Sequence, residues 1–361
     1  VECVGERRKP DRHPVGEGVD DGECIGVAVD SRQHVWIVHR SSATLGNNEK
    51  GQELTPPTSI HCCKGAPPIM EFDQAGNYVN GWGGPVAGAP YDWPDSNHGI
   101  DVENDGTVWI GGNGPSDGLV LKFTREGKFI QQIGKKGVKA DSQAKDHFFQ
   151  VAKIFIDEKG NETYVSDGYG NKRVAVIDRK TGEMKRFWGA YGNPPSDENL
   201  GRYNPSQPLV KQFRNPVHCA ELSNDNIVYV CDRVNDRIQS FTKEGKFLKE
   251  VQIEKESLAD GSVWDLVFSN DAQQRYLFVA DGRNQKIHVL DRQSLEVIYS
   301  FGDGGRQPGQ WYGLHSIAID SAGNLYTTET YEGKRLQKFV YKGIGPVTAR
   351  YVDSVRPTGT R

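Results

Sequence analysis

Long apolar runs are missing from this sequence. No stretch approaches the ~18 apolar residues of a membrane-spanning helix, so no membrane span is expected. Runs of Lys or Arg are missing too, and neither sign of charge dominates: 44 Lys plus Arg face 48 Asp plus Glu, a net charge of −4. Binding to nucleic acid through a basic footprint is therefore not expected. Hydrophobic residues reach only 36%, whereas Gly stands at 42 and Tyr at 14, which suits many short strands and turns better than large buried helices. The first residue is Val1 rather than Met, as in a chain that has lost a signal peptide or has been trimmed. Cysteines are few but even in number: Cys3, Cys24, Cys62, Cys63, Cys219 and Cys231. That count permits disulfides and a secreted or periplasmic life. Cys219 and Cys231 are symmetric about Asp225, so they face each other across a hairpin, either bridged or as two reduced, half-buried thiols.

What the sequence does have is repetition. At 361 residues it could hold two average domains, but all-β folds of this size are often one. A unit of two alternating strands about an Asn/Asp/Gly turn starts at Ile25, His98, Ala152, His218, Trp264 and His315. Most copies continue into a third strand and a hairpin to a fourth, as in RIQSFTKEGKFLKEV after Asp236. Six four-stranded units predict an all-β fold, a six-bladed β-propeller, rather than a linear solenoid. The expected organisation is an N-terminal segment (1–22), one propeller (23–353) and a C-terminal tail (354–361). The sixth copy has three clear strands, and a terminus supplies its fourth, either Ala349–Val352 or a piece of the N-terminal segment. Three insertions, Ser41–Pro68, Lys135–Phe149 and Ala190–Phe213, are long enough to be functional and read as loops around one mouth of the channel.

Aligned on their first strand, the copies place Ile25, His98, Ala152, His218, Trp264 and His315 at one position. The innermost strand of each blade lines the axis, so these residues form a ring, with His98, His218 and His315 on alternate blades. Three imidazoles at threefold spacing converge on one axial point, the geometry of a three-His metal site with an open fourth position. Neutral imidazole favours Zn2+ over hard ions that prefer oxygen. The other six histidines read mostly as ordinary core or surface residues. A second ring ends the second strands: Arg40, Asn113, Tyr169, Arg233, Arg283 and Tyr331. Arg283 and Tyr331 read as solvated turn residues. Arg40, Tyr169 and Arg233 suit an anionic substrate, because Arg offers a planar fork to a carboxylate.

These residues carry a resemblance over nearly all of residues 23–342. The blades resemble NHL-repeat propellers, and the pattern within them is similar to the peptidyl-α-hydroxyglycine α-amidating lyase family. DSRQHVWIVHR (Asp30–Arg40), YVSDGYGNKR (Tyr164–Arg173) and VYVCDRVNDRIQSF (Val228–Phe241) are its most specific pieces. The resemblance implies a catalytic zinc on His98, His218 and His315, a catalytic Tyr169, active-site Arg40 and Arg233, and a structural Ca2+. This chain departs from the family pattern in several places. Gly170 replaces a Cys after the Asp-Gly-Tyr motif, and Tyr229 and Ser240 stand where the family has a disulfide. Ser316 replaces the calcium-holding Asp, although carbonyls such as that of Ile100 remain. The insert with His61-Cys62-Cys63 is unlike the animal enzymes.

The expected function is a zinc-dependent lyase that cleaves the C–N bond of a carbinolamide such as a peptidyl-α-hydroxyglycine, releasing an amide and glyoxylate. Its substrate would be a small molecule or peptide with a carboxylate. The rival readings are a lactonase-like metal-dependent hydrolase and a non-enzymatic NHL binding module. Propeller hydrolases commonly use calcium held by Asp, Glu and Asn, and a buried His ring serves no purpose in a module that binds through its outer face.

Overall fold

Short turns let each apolar strand fold straight back on its neighbour. At Ser223–Asn226 the Asn226 amide donates to Ser223 O at 2.9 Å, and Asn226 adopts a left-handed φ of 62°, which Asn tolerates well. Strands Val217–Leu222 and Ile227–Asp232 flank this turn and set Cys219 opposite Cys231, joined as a disulfide with 4.8 Å between Cα atoms. The computed structural model describes residues 2–3, 19–139 and 141–345.

Six antiparallel sheets of four strands form the blades of a propeller, together with one two-stranded pairing, Val19–Asp20 with Lys64–Gly65. Their inner strands are Cys24–Val29, Asn97–Val102, Val151–Asp157, Val217–Leu222, Asp265–Phe268 and Leu314–Ile319. Each packs beside the next, and Leu314–Ile319 lies against Cys24–Val29 to close the ring. In blade six the fourth place is taken by the N-terminal piece Glu2–Cys3, paired with Leu336–Val340. The alternative strand Ala349–Val352 and the tail at 354–361 lie outside the described residues. Helix is confined to three short turns, Ser41–Thr44, Ala190–Gly192 and Arg233–Asn235, so among the described residues no helix is long and apolar enough to cross a membrane.

The core is divided as the repeats are. Six apolar clusters fill the six interfaces between blades, for example Trp36, Ile69, Ile110 and Phe123 between blades one and two. Full burial of each such side chain stabilises by roughly 1.5–3 kcal/mol, so every blade depends on both neighbours.

One irregularity of the inner strands matters for function. In blades one, two, three, four and six the register slips at Ile25, at His98–Gly99, at Ala152, at His218 and at His315. A β-bulge adds one residue to its strand and re-aims that side chain. The ring position is thus the bulged one, and its side chain turns from the blade face toward the axis.

Candidate metal centre and channel mouth

Three imidazoles meet on the axis. His98, His218 and His315 are each 2% exposed, with ring centroids 5.2, 4.8 and 4.9 Å apart. Their orientation follows from the alternation of the repeats. His98 Nδ1 donates to Ala152 O at 2.5 Å, His218 Nδ1 to Trp264 O at 2.5 Å, and His315 Nδ1 to Ile25 O at 2.6 Å. The residues between the histidines on the ring therefore supply the carbonyls that fix each tautomer, as outer-shell partners of metal-binding histidines do. All three Nε2 lone pairs are left facing one point. Burial, together with neighbouring cationic groups, holds all three imidazoles well below their ordinary pKa, so they stay neutral and able to bind.

One ligand atom from each lies within 4.8 Å of the others, a three-His site that could hold a metal ion. A set of neutral nitrogens matches the preference of first-row transition ions rather than Ca2+, which takes oxygen. A second cluster, Asp30, His34 and Glu71, is neutralised by Arg125 and Arg32 and has no such open face.

Tyr169 covers the ring on one side. Its hydroxyl lies 3.1 Å from His98 Nε2 and 3.1 Å from His218 Nε2, and it accepts from Arg233 Nη1 at 3.1 Å. Close packing fixes its loop: a Cβ on Gly168 would stand 2.0 Å from Val217 O, and one on Gly170 2.2 Å from the Phe149 ring. Phe149 thus fills the space that a Cys side chain at 170 would need. The Arg233 guanidinium stacks 4.3 Å from the centroid of Trp264 and is 7% exposed. Arg40 stands apart from this trio. Its Nη1 bonds Glu23 Oε2 at 2.5 Å and its Nη2 bonds Asn113 Oδ1 at 3.2 Å, while its charge acts on His98 and His315. Nε of Arg40 and Nε of Arg233 are both buried without a hydrogen-bond partner. Arg283 and Tyr331 of the second ring face water: the side chain of Arg283 is 51% exposed and Tyr331 is 50% exposed.

Two kinds of residue were missed by the sequence reading. The first is Trp264, read only as a ring position, which walls the site beside His218 and His315 and carries Arg233. The second is a pair of buried aspartates below the second ring. Asp167 accepts from Phe149 N, Asn171 Nδ2 and Arg173 Nε and so fixes the loop of Tyr169. Asp232 accepts from Arg214 N, Asn235 Nδ2 and Arg237 Nε and does the same for Arg233. The signal was present as Asp-(spacer)-Asn-x-Arg in both DGYGNKR and DRVNDR. Beneath the Tyr169 loop the second and third insertions meet, with Ser142 Oγ donating to Asp197 Oδ1 at 2.5 Å. The first insertion borders a groove of about 1150 Å³ that runs from Arg40 past Pro68, Tyr78, Trp82 and Trp93.

Fold and site together define a six-bladed propeller with a three-imidazole centre on its axis and a tyrosine–arginine pair above it. No protein-family model matches the chain. The NHL repeat-containing protein 3 of Mus musculus is 24% identical over 294 residues, 76% of this chain and 73% of that protein. A probable peptidyl-alpha-hydroxyglycine alpha-amidating lyase of Caenorhabditis elegans is 23% identical over 323 residues, 88% of this chain and 82% of that protein. The peptidyl-glycine alpha-amidating monooxygenase of Mus musculus is 25% identical over 239 residues, 64% of this chain but 22% of that much longer protein. Among solved structures, a catalytically inactive virginiamycin B lyase from Staphylococcus aureus with quinupristin aligns at a TM-score of 0.50 and 17% identity, covering 90% of this chain and 86% of that one. This last likeness is one of fold.

Proposed function

We propose that this chain is a zinc-dependent lyase that splits the C–N bond of a carbinolamide such as a peptidyl-α-hydroxyglycine. The observation that carries the reading is the Tyr169 hydroxyl, 3.1 Å from two of the three Nε2 atoms and held by Arg233. A phenol oxygen beside a neutral three-nitrogen site supports a general-base role for Tyr169. The lyase-named relatives support the same class.

His98, His218 and His315 would hold Zn2+, which when bound supplies Lewis acidity toward a substrate hydroxyl. Tyr169 Oη takes the hydroxyl proton, general-base work worth ~10²–10⁴-fold. The C–O bond becomes the carbonyl of glyoxylate as the C–N bond breaks, and the proton passes to the departing amide nitrogen. Arg233, stacked on Trp264, keeps the phenol oxygen in place and turns its remaining N–H groups to the substrate carboxylate. Arg40 faces that carboxylate from the Glu23 side. The unpartnered Nε atoms of both arginines support an anionic ligand. The Cys219–Cys231 disulfide supports placing the enzyme in an oxidising compartment, secreted or periplasmic.

The direct test is glyoxylate release from an N-acylated α-hydroxyglycine by metal-free protein before and after stoichiometric Zn2+. Release that appears with zinc is expected. A zinc-loaded protein that leaves the substrate intact overturns the reading.

A further inference from the structure

On the other side of the histidine ring the axis is built quite differently. Lys153 follows the ring residue Ala152, and its ammonium reaches Glu221 Oε1 at 2.7 Å and Asp265 Oδ1 at 2.5 Å, with its side chain only 14% exposed. Asp265 Oδ2 accepts from Ile317 N at 3.1 Å, and the neighbouring Ser316 Oγ donates to Ile25 O at 2.8 Å. On the far flank Asp101 Oδ2 accepts from Ile156 N at 2.8 Å. One polar chain therefore runs from blade two to three, from three to both four and five, and on through six to one. A single cation sits at its branch point.

That arrangement does not fit a bound calcium. Ca2+ needs 6–8 oxygen ligands, several of them from carboxylates. The cavity just under the ring has a volume of about 10 Å³ and is bordered by Gly26, Ile100, Lys153 and Ser316 along with the imidazoles of His98 and His218. No carboxylate lines it, and its one formally charged border group is itself a cation. It has room for about one water. The nearby carbonyl of Ile25 already accepts from His315 Nδ1 and Ser316 Oγ.

We propose that the Lys153 ammonium is a built-in structural cation that clamps the blades on the axis in place of a bound divalent ion. The ammonium brings the positive charge that two carboxylates from adjacent blades require, and its three N–H donors replace coordination bonds. The clamp is independent of the reaction proposed for the other side of the ring.

The test uses full-length, zinc-saturated protein freed of calcium by dialysis. Metal analysis should find far less than one Ca2+ per chain, and millimolar Ca2+ should leave Tm unchanged. Lys153→Met keeps the stem but removes the charge, leaving Glu221 and Asp265 facing each other. Its Tm should fall by several degrees, and Ca2+ should recover part of the loss. Lys153→Arg, which keeps a cation, should fold and remain indifferent to Ca2+, and it decides the matter if the Met variant does not fold. Stoichiometric calcium in the wild type, a Ca2+-dependent wild-type Tm, or a Lys153→Met protein as stable as wild type would each overturn the proposal.

Discussion

Two tiers share one axis and treat polar atoms in opposite ways. At the histidine ring three imidazoles converge, with the Tyr169 hydroxyl against the Nε2 atoms of two of them, and the Nε atoms of Arg40 and Arg233 are buried without a partner. Below the ring, Lys153 is matched to Glu221 and Asp265, and Asp101 and Asp265 each accept backbone amides. A buried polar group left without a partner costs about 1–3 kcal/mol, and two such groups, Arg40 Nε and Arg233 Nε, are cationic and stand beside three convergent imidazoles. The upper tier is therefore where a ligand belongs, and the lower tier is where the fold holds itself together.

The most severe way to break that contrast is to remove one imidazole. His218→Ala deletes one of three nitrogens and opens space beside Trp264 without touching the lower clamp. Zinc retention and activity should both be lost, while circular dichroism and Tm stay close to those of the metal-free wild type. Stoichiometric zinc in the variant would show that the ring is not the ligand set. Next in size is Tyr169→Phe, which removes only the hydroxyl. If that group takes the substrate proton, kcat falls by at least ~10²-fold at unchanged zinc content. A variant that keeps near wild-type turnover would place the base elsewhere.

The upper tier was legible in the sequence because repetition turns a position into a place. Once His98, His218 and His315 fall on one phase of alternate copies, closure of the ring brings them together. What the sequence did not reveal is how they turn inward, since a bulge at each ring position leaves no residue signature of its own. The lower tier was missed entirely, although its charges were in plain view. Asp101 and Glu221 come three residues after the ring histidines of blades two and four, and Lys153 and Asp265 come one residue after the ring positions of blades three and five. Strict alternation sends such residues to the blade faces. In blades two, three and four the shifted register directs them to the channel instead, where Lys153 of one blade meets Glu221 and Asp265 of two others. A pairing between blades has no fixed spacing along the chain. Arg40 is a different case: its place on the second ring was legible, but its engagement by Glu23 and Asn113 was not.

A finer probe of the upper tier is Arg233→Lys. Lysine keeps the charge but loses the fork that touches Tyr169 and the flat face that stacks on Trp264. Loss of one charge-assisted hydrogen bond should lower kcat/KM by about 1.5–3 kcal/mol. The loss should be smaller on an analogue whose carboxylate is an amide. Equal losses on both substrates would mean that Arg233 does not read the carboxylate.

The smallest predicted effect tests whether an unpartnered buried atom must await a ligand. Asp236 Oδ2 is buried without a partner, yet it lies off the axis, in the turn that ends the Arg233 loop. Its Oδ1 accepts from Ser262 N at 2.7 Å. Burial, with Asp281 and Asp232 nearby, pushes its carboxyl from 3.8 up to about 7. Such a group answers its missing partner by keeping a proton. The folded state therefore binds a proton that the unfolded chain has already released between about pH 4 and about pH 7, so stability falls as pH rises through that window and levels off above it. Asp236→Asn keeps the acceptor for Ser262, tolerates the left-handed φ of 52°, and cannot ionise. Relative to the variant, the wild type should lose Tm between the two ends of the window, while kcat at a fixed pH is unchanged. Parallel Tm-versus-pH curves for the two proteins would mean that Asp236 is ionised throughout. A proton would then not be what answers the missing partner of Oδ2, and a buried carboxylate oxygen would stand unpartnered and charged in the turn after Arg233.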